Sequence, residues 1–267
     1  MTHRPGRWVM MDIRRSHPED ELPTVERGGN EAVDGERHQR LWRLVTERAG
    51  RRHFPGWAGV VCDVAVDQVD IDAAAISLRS SSRVEELAAT SDAWARRLEE
   101  LQYTAGDGPG VEAFSRGGPV LVTDMATVDQ RWPGFVDAAI ADGLAAVFAF
   151  PLQAGAIQLG TLDLYRHQPG ALSADALADA TVLADLATTA LLTDVAPTRT
   201  APWAREDTPG HYDDVNVATG MLAAQLRISV DDAFLRLRAH AFSTGQAVLE
   251  VARAILARQL PSDTFQD

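Results

Sequence analysis

Few side chains in this sequence could do covalent or metal chemistry. All 25 basic residues are arginine, and without lysine there is no phosphate-loop ammonium, no Schiff base and no pyridoxal chemistry. The single cysteine, Cys62, has no partner for an internal disulfide and cannot build a cysteine-rich metal site. Flanked by Val60, Val61 and Val64, it reads as a buried structural thiol in reducing surroundings. The seven histidines, at 3, 17, 38, 53, 167, 211 and 240, form no His-Glu-x-x-His pair. His211 beside Asp213 and Asp214 reads as charge around a helix start, and there is no Gly-x-Ser-x-Gly elbow. Gly106-Asp-Gly-Pro-Gly110 imitates a phosphate-cradling loop, but it lacks the Lys-Ser/Thr ending and includes a proline with no N–H, so it reads as a turn. No catalytic residue, metal ligand or cofactor is assigned, and the chain is not read as an enzyme.

What remains is recognition chemistry. The net charge of −13 is unevenly spread: residues 57–198 carry all of it, against +2 before and −2 after. Within Ala233–Arg258 four arginines face one acid, Glu250. Arg236 and His240 lie four apart on one helical face, Arg238 points elsewhere on the same helix, and Arg253 and Arg258 follow on the next. Arginine forks hold phosphate well, so this stretch could grip a polyanion. The same arginines also fit an ordinary solvated surface, and Arg238 could instead pair with Asp231 or Asp232. Tyr103, Trp132 and Phe135 are candidates for a ligand pocket, with core packing as the competing reading.

The elements that must position these residues fall into three textures. Residues 1–37 are polar and aperiodic and are expected to be disordered. From His38 the pattern becomes mixed: helices over His38–Ala49 and Trp57–Val69, then strands Ile71–Leu78 and Val84–Thr90 joined by the turn Ser80–Ser82. A helix at Ser91–Leu101, a strand at Pro119–Val122 and a helix at Gly134–Asp142 follow. Strands Ala145–Leu152 and Ile157–Tyr165 meet at Gly155, and a long helix, Ser173–Leu192, closes the unit. Strands with segregated helices predict an α+β antiparallel sheet. Thr193–Pro209, with three prolines, reads as a linker.

Beyond it three short amphipathic helices are expected. Thr208-Pro209 signals the first, running to about Arg227. Ser229-Val-Asp-Asp232 caps the second, Ala233–Ser243, which Gly245 ends; the third is Ala247–Gln259.

Two families resemble these two parts. Ala218-Thr-Gly220-Met-Leu222, Ser229 with Ala233, Leu237-Arg238 with Ala241, and Val251-Ala252, in that order and spacing, resemble the ANTAR family of RNA-binding antitermination domains. That resemblance implies recognition of paired hexaloop hairpins, with Arg236, Arg238, His240, Gln246, Arg253 and Arg258 as the RNA-binding candidates. Gln246 stands where many members have a basic residue. Gln102-Tyr-Thr-Ala-Gly106-Asp-Gly108-Pro109, Val120-Leu-Val-Thr-Asp124, Arg131-Trp132-Pro133 with Phe135, and Pro151-Leu152 with Leu159-Gly160-Thr-Leu162 resemble the GAF sensor of actinobacterial GAF–ANTAR proteins. Relatives commonly carry a cysteine after the Gly-Pro pair; Gly110 stands there instead, which removes a thiol from that position.

The resemblances together imply a GAF-like antiparallel sheet flanked by helices over 38–193, a linker over 194–207 and an all-α three-helix ANTAR-like bundle over 208–262. They imply a signal-responsive antitermination regulator whose sensor binds a small molecule or protein signal and whose C-terminal domain binds hairpin-loop RNA. A homodimer is expected, with Ser173–Leu192 and Pro209–Leu226 as its interface. No apolar run is long enough to span a bilayer and no secretory signal is evident, so a cytoplasmic location is expected. Two alternatives stay open: a DNA-binding helix-turn-helix regulator, and an interaction module in which the last helices only dimerise.

Overall fold

A computed structural model of the chain describes residues 27–50, 56–79, 85–128, 130–194 and 210–265. Its elements run α1 (Arg27–Ala49), α2 (Trp57–Gln68), β1 (Ala73–Arg79), β2 (Glu85–Thr90), α3 (Ala93–Ala105), α4 (Pro109–Arg116), β3 (Val120–Val122), α5 (Val136–Ala141), β4 (Ala146–Ala154), β5 (Ile157–Arg166), α6 (Ala174–Asp194), α7 (Asp213–Leu226), α8 (Val230–Thr244) and α9 (Val248–Leu256). The five strands form one antiparallel sheet in the order β2-β1-β5-β4-β3.

Period-two alternation divides the sheet between two cores. Ala74 and Ile76 of β1, Phe148 and Phe150 of β4, and Leu162 and Leu164 of β5 face the layer made by α1, α2 and α6. Ala73 and Ala75, Val147 and Ala149, and Tyr165 face α3, α4 and α5. Cys62 is fully buried in the first core, where burial pushes its thiol well above the ordinary range. The β4–β5 hairpin turns at Gly155, whose φ of 62° suits glycine. Gly160 lets β5 approach β1: a Cβ there would sit 1.9 Å from the Ser77 carbonyl oxygen.

Several expectations shift. Helix α1 starts at Arg27, eleven residues before the predicted His38 and inside the segment read as disordered. The sequence concealed it because its partners are remote: Arg37 and Arg40 pair with Asp179 of α6 at 2.9 and 2.6 Å. Helix α4 was not predicted; Pro109 occupies its first turn directly after the glycine-rich corner. Helix α7 starts at Asp213; the expected Thr208-Pro209 start, the linker from 195, the Ser80–Ser82 turn and residues 1–26 lie outside the described residues.

The C-terminal bundle follows its pattern closely. Val215, Ala218 and Leu222 of α7, Ala233 and Leu237 of α8, and Val248, Val251, Ala252 and Ile255 of α9 are buried together. Ser229 caps α8 by accepting the Asp232 N–H at 3.0 Å and donating its hydroxyl to the Asp232 carboxylate at 2.7 Å. Gly245 ends α8 in the left-handed conformation, with φ 66°. A short 3-10 turn, Ser262–Phe265, folds back so that Phe265 is buried against α7 and α8.

Candidate functional site

Helix α3 builds the polar part of the sheet-side domain. Its sequence Trp94-Ala-Arg-Arg-Leu98-Glu99-Glu-Leu-Gln102 turns Glu99 and Gln102 inward with Ala95 and Leu98. They meet the inward row of β5, Thr161, Asp163 and Tyr165, and Ser77 and Arg79 of β1, all buried. Ser77 donates to Glu99 at 2.5 Å, the Tyr165 hydroxyl donates to the other Glu99 oxygen, and Arg79 lies 3.5 Å from Glu99. Gln102 donates to the Tyr165 oxygen at 3.1 Å and accepts the Gly110 N–H at 2.8 Å, fastening the α3–α4 corner to the sheet. Gly108, with φ 145°, passes so close to Gln102 that a Cβ would lie 2.5 Å from its oxygen. Gly106-Asp-Gly-Pro-Gly110 is thus a packed corner.

Burial raises the Asp163 carboxyl well above its ordinary range, the Glu99 charge adds to this, and Arg79 and Thr161 oppose it. Thr161 donates to Asp163 at 2.7 Å. Burial also raises the Tyr165 phenol, reinforced by Glu99. Burial and the neighbouring Glu99 thus both favour the neutral form of Asp163. Gly110 completes it: a Cβ at that position would stand 2.7 Å from Asp163. A cysteine there would collide with the acid, which is a physical reason for the glycine.

The three aromatic candidates do not share a cavity. Phe135 is fully buried core. The Trp132 indole donates to Glu112 at 2.9 Å beneath the Arg131 guanidinium, which sits 4.4 Å above its ring. Burial works to raise the Glu112 carboxyl, but the hydrogen bonds and charges of Arg131 and Arg116 outweigh it and the net shift is downward. Tyr103 leaves the sheet-side core for the bundle: its ring stacks on Tyr212, with centroids 3.8 Å apart and planes 23° apart. A cleft of about 650 Å³ lies between Arg97, Thr104 and Ala138 on one side and Phe242, Gln246 and Glu250 on the other.

The six basic and amide candidates are likewise dispersed. Arg236 donates to the Phe265 carbonyl at 2.6 Å, and His240 lies against the Phe265 ring, with centroids 4.9 Å apart. They share a face, as their spacing requires, and the C-terminal turn occupies it. Arg238 points the other way, its Cζ 4.6 Å from the Phe234 ring centre and 5.8 Å from that of Tyr103. Asp107 lies close enough to Arg238 for the two charges to interact. Arg253 is exposed and pairs with Asp214 at 3.0 Å. Gln246 is exposed at the cleft, where its side-chain oxygen accepts from Thr244 at 3.1 Å, and Arg258 is exposed just beyond α9. Among the described residues no group of three His, Cys, Asp or Glu is arranged to hold a metal ion, and no helix is long and apolar enough to cross a membrane.

Sequence reasoning missed the Glu99–Gln102–Asp163 cluster and the Tyr103–Tyr212 contact. The first had a signal: a glutamate at the buried positions of an amphipathic helix, and an aspartate in register with apolar strand neighbours.

The chain thus joins a helix-flanked antiparallel sheet with a polar inner cluster to a C-terminal three-helix bundle that shares its sheet-side core. The GAF domain family matches residues 58–192, about half the chain, and the ANTAR domain family matches residues 211–256. The chain belongs to the GAF domain family, and an ANTAR domain follows its GAF domain. No curated protein matches it. Among solved structures it is similar to the GAF domain of an Acinetobacter phosphoenolpyruvate-protein phosphotransferase, at 14% identity and TM-score 0.47, covering 62% of this chain and 96% of that one. The GAF domain of the Coxiella burnetii phosphoenolpyruvate-protein phosphotransferase gives 13% and 0.47, covering 62% and 97%. A free methionine-R-sulfoxide reductase from Neisseria meningitidis, in complex with its substrate, gives 15% and 0.40, covering 58% and 86%.

Proposed function

We propose that this chain is a non-catalytic, cytoplasmic regulator of the actinobacterial GAF–ANTAR kind. Its GAF domain receives a signal, a small molecule or a protein. Its ANTAR domain binds paired hairpin-loop RNA and controls transcription termination. The observation that carries the reading is the ANTAR match over 211–256, which coincides with a three-helix bundle bearing arginines on α8 and α9. RNA loops are read by hydrogen bonds and stacking on splayed bases, with arginine on phosphates. Arg236, Arg238, His240, Gln246, Arg253 and Arg258 are the proposed contacts. Domain limits of 38–193 and 208–262 are proposed, with α1 extending the first toward Arg27.

The proposed active form is a homodimer. On α7, Val217 is exposed and lies on one helical stripe with Gly220, Met221 and Ala224. Among the described residues, nothing outside the neighbouring turns of its own helix comes within 4 Å of a Cβ built at Gly220. A glycine in a helix costs about 1 kcal/mol relative to alanine, and close approach of a second α7 would account for it.

The test is binding of an RNA with two hexaloops, against a loop-scrambled control, at two salt concentrations. Loop-dependent binding whose salt slope falls by about 1 in Arg253→Ala is expected. Equal binding of the scrambled RNA, or a preference for duplex DNA, would defeat the RNA reading. Sedimentation of Val217→Glu beside the parent chain tests the dimer.

A further inference from the structure

The arginine face of α8 is not free in this structure. Tyr103, Thr104 and Gly106, at the end of α3, press into the bundle from the GAF side. Tyr103 stacks on Tyr212 and lies 5.7 Å from the Phe234 ring. The Thr104 hydroxyl accepts the N–H of Val248, at the start of α9, at 3.2 Å. A Cβ at Gly106 would lie 2.3 Å from a guanidinium nitrogen of Arg238, so the arginine lies flat on that glycine. From β2, Glu86 accepts the backbone N–H groups of His211 and Tyr212, the first at 2.5 Å, and Glu100 meets the His211 ring at 2.9 Å.

We infer that this corner of the GAF domain is an intramolecular partner for the ANTAR arginine face, occupying in cis the α8 surface that RNA needs, and that RNA binding requires the two to separate. The inference rests on the RNA-binding function proposed above. Arg238 has two kinds of partner available: the Tyr103 ring and Asp107 of its own sensor, or a phosphate and base of RNA. A guanidinium serves either, because it stacks on rings and forks onto phosphate. It cannot serve both at once.

The contact has one open edge. The Tyr103–Tyr212 stack and the Thr104–Val248 hydrogen bond lie in an apolar core shared with the bundle, and a cleft of about 650 Å³, lined by Ala138 of α5 and Phe242 of α8, runs along its side. Phe242 is 57% exposed at that edge. Interfaces of this mixed, partly open kind resemble transient ones and permit domain motion. The burial that raises the Glu86 and Asp107 carboxyls is also lost on separation. Transmission needs no long path. Glu99 and Gln102 touch the sheet-face cluster, and Tyr103 and Thr104, the next two residues of α3, touch the bundle.

The test uses the full chain in three forms. In Gly134→Trp, the new side chain starts 3.1 Å from Ala105 of α3 and 3.4 Å from the Phe242 ring, and so wedges α3 and α8 apart at that edge. In the second, Gly134→Cys with Phe242→Cys is joined by a short bismaleimide; the native Cys62 is fully buried and stays out of the reaction. The third is the unaltered chain. Two readouts are taken: affinity for the two-hexaloop RNA, and hydrogen exchange of the Val248 amide, which reports separation without RNA.

The expected result is faster Val248 exchange and at least tenfold tighter RNA binding for the wedge, since removing a closed majority raises apparent affinity by the inverse of the open fraction. The cross-linked form is expected to lose at least tenfold. Equal RNA affinity in all three overturns the inference and leaves the RNA function standing. If no form binds RNA while Val248 exchanges freely in the wedge, the RNA function itself fails and the inference falls with it.

Discussion

Gly110→Ala probes whether the sheet-face cluster is as tightly closed as its geometry requires. The backbone at Gly110 is in an ordinary conformation, so strain in φ is not involved. The obstacle is the Asp163 carboxyl, 2.7 and 2.8 Å from a Cβ placed at Gly110, about 0.7 Å short of ordinary contact. That carboxyl cannot retreat freely, because Thr161 donates to it and Glu99 lies behind it. Overpacking of this kind costs about 1–3 kcal/mol, against a helix-propensity gain of no more than about 1 kcal/mol. For a domain of this size each kcal/mol lowers Tm by roughly 2–4 °C. The assay is urea unfolding followed by tryptophan fluorescence, for which Trp94 and Trp132 lie within the GAF domain. In an Asp163→Ala background the obstacle is gone, and Gly110→Ala should cost less than about 0.5 kcal/mol. If Gly110→Ala costs the same in both backgrounds, the collision with Asp163 is not the reason for the glycine.

Three further outcomes are expected. Gly160→Ala sets a methyl 1.9 Å from a backbone oxygen of β1 that cannot move without breaking the sheet, and it should destabilise by about 3 kcal/mol or more, measured by thermal melting. A near-neutral result would mean that β1 and β5 are not in this register. Ser229→Ala removes the cap of α8 and should cost about 1 kcal/mol in chemical denaturation of the ANTAR transition; Ser229→Asp should retain most of the stability. Asp163→Asn should flatten the pH dependence of unfolding. The folded chain keeps a proton on Asp163 that the unfolded chain releases above about pH 4. Stability at this site is therefore full below that pH and declines as pH rises toward the folded pKa. The parent chain should lose more stability than the variant as pH rises above about 4, and parallel losses would exclude Asp163 as the titrating group.

What could be read from the sequence was local. Ser229 with Asp232, and Gly245 past the last apolar residue, mark the ends of α8 because capping depends on neighbours three residues away. The apolar alternation of β4 and β5 places Phe148, Phe150, Leu162 and Leu164 on one face before any pairing is known. Helix α1 was shortened because the acids that neutralise Arg37 and Arg40 lie in α6, far along the chain. Helix α4 was hidden by the glycine-rich corner that starts it. The candidate site was the least legible part. Helical spacing correctly separates Arg238 from Arg236 and His240, but nothing local says that Tyr103 will meet Tyr212 or that Phe265 will fold over Arg236. Those contacts depend on complementary surfaces distant in sequence.

The Arg236 contact extends the argument about closure to the opposite side of α8. Arg238 is engaged by Tyr103 and Gly106 of the GAF domain, and Arg236 by the carbonyl of Phe265, while the Phe265 ring covers His240. Two separate parts of the chain thus hold the two sides of one helix. The two contacts differ in what releases them. The Phe265 turn is local to the bundle and uses one carbonyl and one ring, so a phosphate can displace it by offering Arg236 a charged acceptor in place of a neutral one. The GAF contact spreads over α3, β2 and the corner at Gly106, and a phosphate reaching Arg238 would still leave the Tyr103–Tyr212 stack and the Thr104–Val248 bond in place. Under the proposed function, control by a signal would therefore belong to the GAF contact, which RNA alone would not dissolve. The Phe265 turn sets only a modest additional cost on binding.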